Sequence, residues 1–276
     1  MGKCLQGDKK SMRSPIRWFG GKGSIAQKIV PLLPPHHIYV EAFGGGASVL
    51  FAKEPSPVEI YNDLDSGLVN FFRVLRNKEH FVEFHRLVTL TPYSREEFDF
   101  CRQHWEECDD PFERAYQWYI VARQSFSGKF GGSWSHTKSI SRRHMAQCVS
   151  GWLSIVDLLP EIAERLLRVQ IEHNDWQIIL KAYDGPNTLF YLDPPYVPET
   201  RRAGKYAHEL SLSDHSELVE QILALQGKVV LSGYVHPIYE PLTDWQRYDI
   251  ETVCRIPNAA ISKRRLPRTE TIWVKL

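Results

Sequence analysis

Residues 38–50 read IYVEAFGGGASVL, and the fold turns on this stretch. The run from His37 to Phe43 predicts a strand, the three glycines a tight turn, and Ala47 to Lys53 the start of a helix. Glycine takes positive φ without strain and lets the backbone come close to a ligand. The helix start behind it offers N–H donors with no partner in the helix. Val58 to Tyr61 predicts a second short strand, ending at Asn62-Asp63. Strand, turn, helix, strand opens a parallel α/β sheet. Asp63 then falls where an acid at a strand end can hydrogen-bond a ribose diol. Turn and acid outline a nucleoside-cofactor site; the plainer alternative is a tight turn with no ligand. A dinucleotide fingerprint would need G-x-G-x-x-G, and Val49 stands at its last position.

Working outward, Ser24 to Leu33 predicts a short helix stopped by Pro34-Pro35. The first 14 residues read as a loose arm. From about Leu68 to Leu167 the pattern is helical and aromatic-rich, broken by a glycine-rich gap at Ser127 to Ser135 and resuming as helix from Ser141 to Leu159. Strand patterns return at Leu167 to Glu172 and Thr188 to Leu192. Ser213 is a candidate N-cap for a helix through Leu225, and Val229 to Ser232 is a further strand. Trp245 to Val253 and Glu270 to Lys275 form a closing pair. The expected organisation is an α/β core of residues 1–67 and 167–276 carrying a helical recognition insertion at 68–166.

The strand at 188–192 ends in Asp193-Pro194-Pro195-Tyr196. An exocyclic amine on a nucleobase is a poor nucleophile, because its lone pair is delocalised into the ring. The Asp193 carboxylate and the Pro194 carbonyl supply two acceptors for its two hydrogens, and a fixed anion stabilises the positive charge that grows on nitrogen. Pro194 and Pro195 lock φ and hold the acceptors in place. Tyr196 offers a ring for a base that has left the duplex. The methyl donor would be a sulfonium cofactor at the glycine turn, with no metal required.

Residues 17–22, RWFGGK, fail as a phosphate loop, because Gly23 rather than Ser or Thr follows Lys22. Trp18 and Lys22 suit an aromatic lid and a cation for a ligand carboxylate; a purely structural turn is the alternative. Of the 276 residues 43% are apolar and 24% charged, with a net charge of +1, so any nucleic-acid surface must be local. SRRH (141–144), RRAGK (201–205) and SKRRLPR (262–268) are the basic clusters. Five cysteines without a CxxC fit a reduced, cytoplasmic setting, and no apolar run reaches the length of a membrane span. Cys101, His104 and Cys108, with His144 and Cys148, have spacing that a zinc site can use, but thiols facing a helical core explain it as well.

RWFGGK (17–22), VEAFGGGASVLF (40–51), IYNDLD (60–65) and LFYLDPPY (189–196), in this order, resemble the Dam-type or D12 class of adenine-N6 DNA methyltransferases over nearly the whole chain. The resemblance implies a Rossmann-like methyltransferase sheet, S-adenosylmethionine as cofactor, and a helical target-recognition insertion. It places Trp18, Lys22, Phe43, Gly44, Gly45, Gly46, Ala47, Asp63, Asp175, Trp176 and Asp193 at the cofactor. Asp193, Pro194, Pro195 and Tyr196 would be catalytic. Arg123, Phe126, Ser127 and Lys129, with Arg142, Arg143, Lys263 and Arg264, would contact DNA. Ala42 stands where the family often has Pro, and the gap at 123–134 matches its recognition hairpin only loosely, so the target sequence does not carry over. Ser at position 193 would favour cytosine and Asn a protein glutamine, so Asp193 favours adenine. RNA as substrate and a DNA-binding protein without activity are the other readings. Double-stranded DNA is the expected partner, with a restriction endonuclease as counterpart in the same system, and the expected state is a monomer or weak dimer.

Overall fold

The computed structural model describes residues 12–200, 208–253 and 267–276. The expected first helix is broken into two 3₁₀ turns flanking α1 (Ala26–Ile29), with Pro31 at the start of the second turn. β1 (Ile38–Glu41), α2 (Ser48–Ala52) and β2 (Val58–Asn62) follow, the two strands pairing in parallel. Four helices come next: α3 (Ser66–Arg76), α4 (Lys78–Leu90), α5 (Arg95–His104) and α6 (Pro111–Gln124). Asp65, Asn77, Ser94 and Asp110 cap their N-termini by accepting backbone N–H bonds that the helix leaves unmade.

Residues 141–146, expected as helix, instead form a hairpin of β3 (Ser141–Arg142) and β4 (Met145–Ala146). Its turn residues, Arg143 and His144, both take positive φ, as a two-residue hairpin turn requires. α7 (Gln147–Val156) and α8 (Leu159–Leu166) lead back to β5 (Val169–Glu172), α9 (Trp176–Tyr183) and β6 (Thr188–Leu192). α10 (Leu212–Ala224) is capped by Ser211 rather than Ser213, because Asp214 completes a reciprocal capping box with Ser211. β7 (Lys228–Gly233), β8 (Gln246–Val253) and β9 (Pro267–Lys275) end the chain.

The sheet order is β5-β2-β1-β6-β7-β9-β8. All neighbours are parallel except β9, which runs antiparallel to both β7 and β8. From β1 the chain winds outward through β2 to β5, then returns to place β6 on the other side of β1. Such a reversal opens a crevice at the carboxyl ends of the central strands.

Alternate residues of each strand feed opposite faces. Tyr39, Tyr61, Leu189 and Tyr191 join a core with Phe71 and Trp118 of α3 and α6. Val40, Ile60, Phe190 and Leu192 join a second core with Ile179 and Leu218 of α9 and α10. The segment expected as an insertion therefore also supplies the cover for one face of the sheet. No helix among the described residues is long and apolar enough to cross a membrane.

Candidate active site

The glycine turn is shaped by what packs on it. A Cβ on Gly44 would sit 2.1 Å from the Tyr61 ring, and one on Gly45 would sit 2.9 Å from Trp18. The Tyr61 hydroxyl donates to the Gly45 carbonyl at 2.7 Å, and the Gly45 N–H donates to Asp63 Oδ2 at 2.7 Å. Asp63 also accepts from the Asp65 N–H at 2.8 Å. Burial pushes the Asp63 carboxyl up to about 6, although both N–H bonds pull the other way. Ala47, closing the turn, is left-handed at φ 52°.

A cleft of about 950 Å³, measured to its open mouth, lies between this turn and Asp193. Trp18, Lys22, Phe43, Gly44, Gly45 and Gly46 line it, with Asp63, Trp176, Asp193 and Pro195. Trp176 is buried against Phe43, ring centres 6.1 Å apart. Ala47 and Asp175, both expected at a cofactor, do not line the cleft. Asp175 is instead spent on the N-cap of α9, accepting from the Gln177 N–H.

The charge of the cleft is acidic. Among the described residues, Glu41, Asp63, Asp65, Asp193 and Glu209 line it against the single lysine Lys22. Glu41, which sequence alone does not single out, accepts from the Tyr39 hydroxyl and the Leu50 N–H. Burial pushes its carboxyl up to about 7.

Lys22, expected as an open cation for a ligand carboxylate, is only 5% exposed. Its Nζ lies 2.5 Å from Asp193 Oδ1 and 3.4 Å from Glu270 Oε1. The Ser232 hydroxyl, at the end of β7, donates to the same Asp193 oxygen at 2.8 Å. Tyr196, expected as an open stacking face, is buried. Lys22 Nζ sits 4.7 Å from its ring centre, and Tyr234 packs edge-on at 4.7 Å. The Tyr196 hydroxyl donates to Glu270 Oε1, which orients the ring. Pro195, not Tyr196, reaches the cleft wall.

A second, open cavity adjoins the first and shares Trp18, Gly21 and Ser48 with it. Arg13, Arg17, Arg123 and Arg142 line it, and no carboxylate does among the described residues. Arg123, expected as a DNA contact, is buried at the end of α6, where desolvation pulls its guanidinium down to about 10. Its Nη2 donates to the Gly151 carbonyl at 3.4 Å, and its Nε has no hydrogen-bond partner among the described residues. Ser127, at φ 58°, lines the same cavity. Phe126 and Lys129 are exposed beside it. Arg143 turns back onto α7, bonding Ser150 and Ser154. Lys263 and Arg264, and the cluster at 201–205, lie outside the described residues.

Cys101 is buried and donates to Glu97, while His104 bonds the Phe100 carbonyl. Among the described residues no group of three or more His, Cys, Asp or Glu side chains is arranged to hold a metal ion.

The profile of the family described as D12 class N6 adenine-specific DNA methyltransferase matches residues 18–251. The chain belongs to this family. A Type II methyltransferase of Lactococcus lactis subsp. cremoris is 29% identical over 97% of both chains. A DNA adenine methylase of Vibrio cholerae is 24% identical over 76% of both chains. Over a shorter stretch, 43% of each chain, a DNA adenine methylase of Salmonella typhi is 26% identical. This adenine-specific DNA methyltransferase thus has its DPPY carboxylate, glycine turn and β2 acid around one cleft at the reversal point of its sheet.

Proposed function

We propose that the protein transfers the methyl group of S-adenosylmethionine to N6 of an adenine turned out of double-stranded DNA. The observation that carries this reading is the opening of Asp193 into the same cleft that the glycine turn and Asp63 wall. The fit to the cofactor rests on charge and shape. A lining of five carboxyl groups against one lysine and one histidine opposes a pyrophosphate and favours a ligand with a sulfonium and an ammonium group. Trp18, Phe43 and Trp176 give apolar walls for a nucleoside, and Asp63 is the acid for its ribose. When bound, the cofactor supplies an electrophilic methyl carbon.

The rest is done by the chain itself. Lys22 and Ser232 both take Asp193 Oδ1, so Oδ2 is the oxygen that receives the amine hydrogen. The carboxylate draws the nitrogen lone pair out of the ring and steadies the charge that develops on it. Pro194 supplies the second acceptor through its carbonyl. Pro195 shapes the wall beside it. The target adenine enters from the side of the basic cavity, where Arg13, Arg17, Arg123 and Arg142 hold the DNA backbone with Ser127 and Lys129. Phe126, exposed beside that cavity, fills the gap left in the duplex. The name of the Lactococcus relative supports a role beside a restriction endonuclease.

The test is methylation of unmethylated genomic DNA by the purified protein with S-adenosylmethionine, read base by base. Methyl groups on adenine N6 with a defined flanking sequence are the expected result. Cofactor binding without DNA methylation would overturn the proposal.

A further inference from the structure

Glu270 lies on β9, opposite Ile250 of β8 and one residue before Thr271, which opposes Gly233 of β7. It is 5% exposed. A buried carboxylate is costly unless it is paired. Here two partners meet one oxygen: Lys22 Nζ at 3.4 Å and the donating Tyr196 hydroxyl. Both partners belong to the neighbourhood of Asp193, and neither the DPPY motif nor the glycine turn includes Glu270.

The charge count gives this placement a meaning. Lys22 against Asp193 alone sums to zero, and a lysine held at 2.5 Å would quench the carboxylate's pull on an amine. Adding Glu270 makes the trio net negative. We propose that Glu270 is a positioning residue for methyl transfer: it shares Lys22 with Asp193 and anchors Tyr196, so that Asp193 keeps its negative charge toward the target amine. The role rests on the reading of Asp193 as the amine's acceptor.

Among the described residues, the groups that face Glu270 are Lys22 from the N-terminal loop, and Asp193 and Tyr196 from the DPPY loop. Tyr234, beyond β7, packs behind the Tyr196 ring, and the partner on β8 is the apolar Ile250. Burial raises the Glu270 carboxyl, Lys22 lowers it, and Asp193 raises it. Its charge is therefore gained only above the ordinary glutamate range.

The experiment compares wild type with Glu270→Gln, which keeps an acceptor for Tyr196 and loses only the charge. Single-turnover methyl transfer to DNA is measured from about pH 5 to about pH 9, with S-adenosylmethionine affinity measured separately by calorimetry. The ratio of wild-type to variant rate is expected to start near unity, rise with pH, and level off at roughly 10- to 100-fold. Cofactor affinity is expected to stay within about twofold, since Glu270 does not line the cleft. Taking the ratio removes the titration of Asp63 and Glu41, which is common to both proteins. A ratio of unity at every pH would leave Glu270 as a structural partner and overturn the proposal.

If Glu270→Gln does not fold, Tyr196→Phe provides the second test. It removes a donor that favours the ionised carboxylate, so the acidic limb should move to higher pH. An unmoved limb overturns the proposal equally. A wild-type protein that binds S-adenosylmethionine but methylates no adenine overturns the reading of Asp193 itself, and this role with it.

Discussion

Among the described residues, five carboxyl groups and one lysine line a cleft on one side of Trp18, and four arginines and no carboxylate line a cavity on the other. The two share Trp18, Gly21 and Ser48, so opposite fields are separated by about one side chain. The overall charge of +1 hides this division completely. The lesson is that substrate class lies in local charge. A cationic small molecule and a polyanion are each matched to their own compartment, and each is repelled by the other's.

The largest expected effect separates chemistry from binding. Asp193→Ala should lower methyl transfer by on the order of 10³-fold or more while calorimetry still detects cofactor. Persistent turnover would remove the acidic side from the reaction. Next comes the basic side. Arg123→Ala should weaken DNA binding by about 1–3 kcal/mol and reduce the salt slope of the binding constant by about one, leaving cofactor affinity unchanged. An unchanged slope would show that the second cavity faces no phosphate.

Gly44→Ala tests whether the acidic wall can be disturbed alone. Its Cβ would fall 2.1 Å from the Tyr61 ring, so the turn must shift. The expected cost is about 1–3 kcal/mol in unfolding, with weaker cofactor binding and intact DNA affinity. The smallest effect is a trade at Asp63. Its folded carboxyl is raised to about 6 from an ordinary 3.8. In that window the folded protein holds a proton that the unfolded chain has released, so stability falls as pH rises. Asp63→Asn should therefore raise the melting temperature at neutral pH while lowering cofactor affinity. In the wild type, cofactor affinity should fall as pH drops below about 6, and titration calorimetry across that range checks it.

Most of the sheet was legible because its central strands are fully buried apolar runs ended by turn residues, as Thr188–Leu192 is. The hairpin at 141–146 was not. Its strands are two residues each, exposed or half-exposed, and its turn residues are Arg143 and His144 rather than glycine or asparagine. The site divides in the same way. Asp193 stood out because an acid directly after a buried strand has no packing reason. Glu270 lies 74 residues beyond Tyr196, and nothing in the sequence beside it marks it as part of the site. Burial also reversed two expectations, turning Lys22 from an open cation into an ion-pair partner and Arg123 from a surface contact into a wall residue.

Trp18 has one consequence for energetics. A ring that forms part of both cavities cannot settle against one ligand without altering the surface offered to the other. Thermodynamic linkage makes that influence symmetric: whatever factor bound cofactor contributes to DNA affinity, bound DNA returns to cofactor affinity. The indole, packed against Trp118 and Phe130 at 5.9 Å and 6.3 Å, is also an intrinsic fluorophore at the boundary. Titration calorimetry of each ligand with and without the other measures both halves of that cycle.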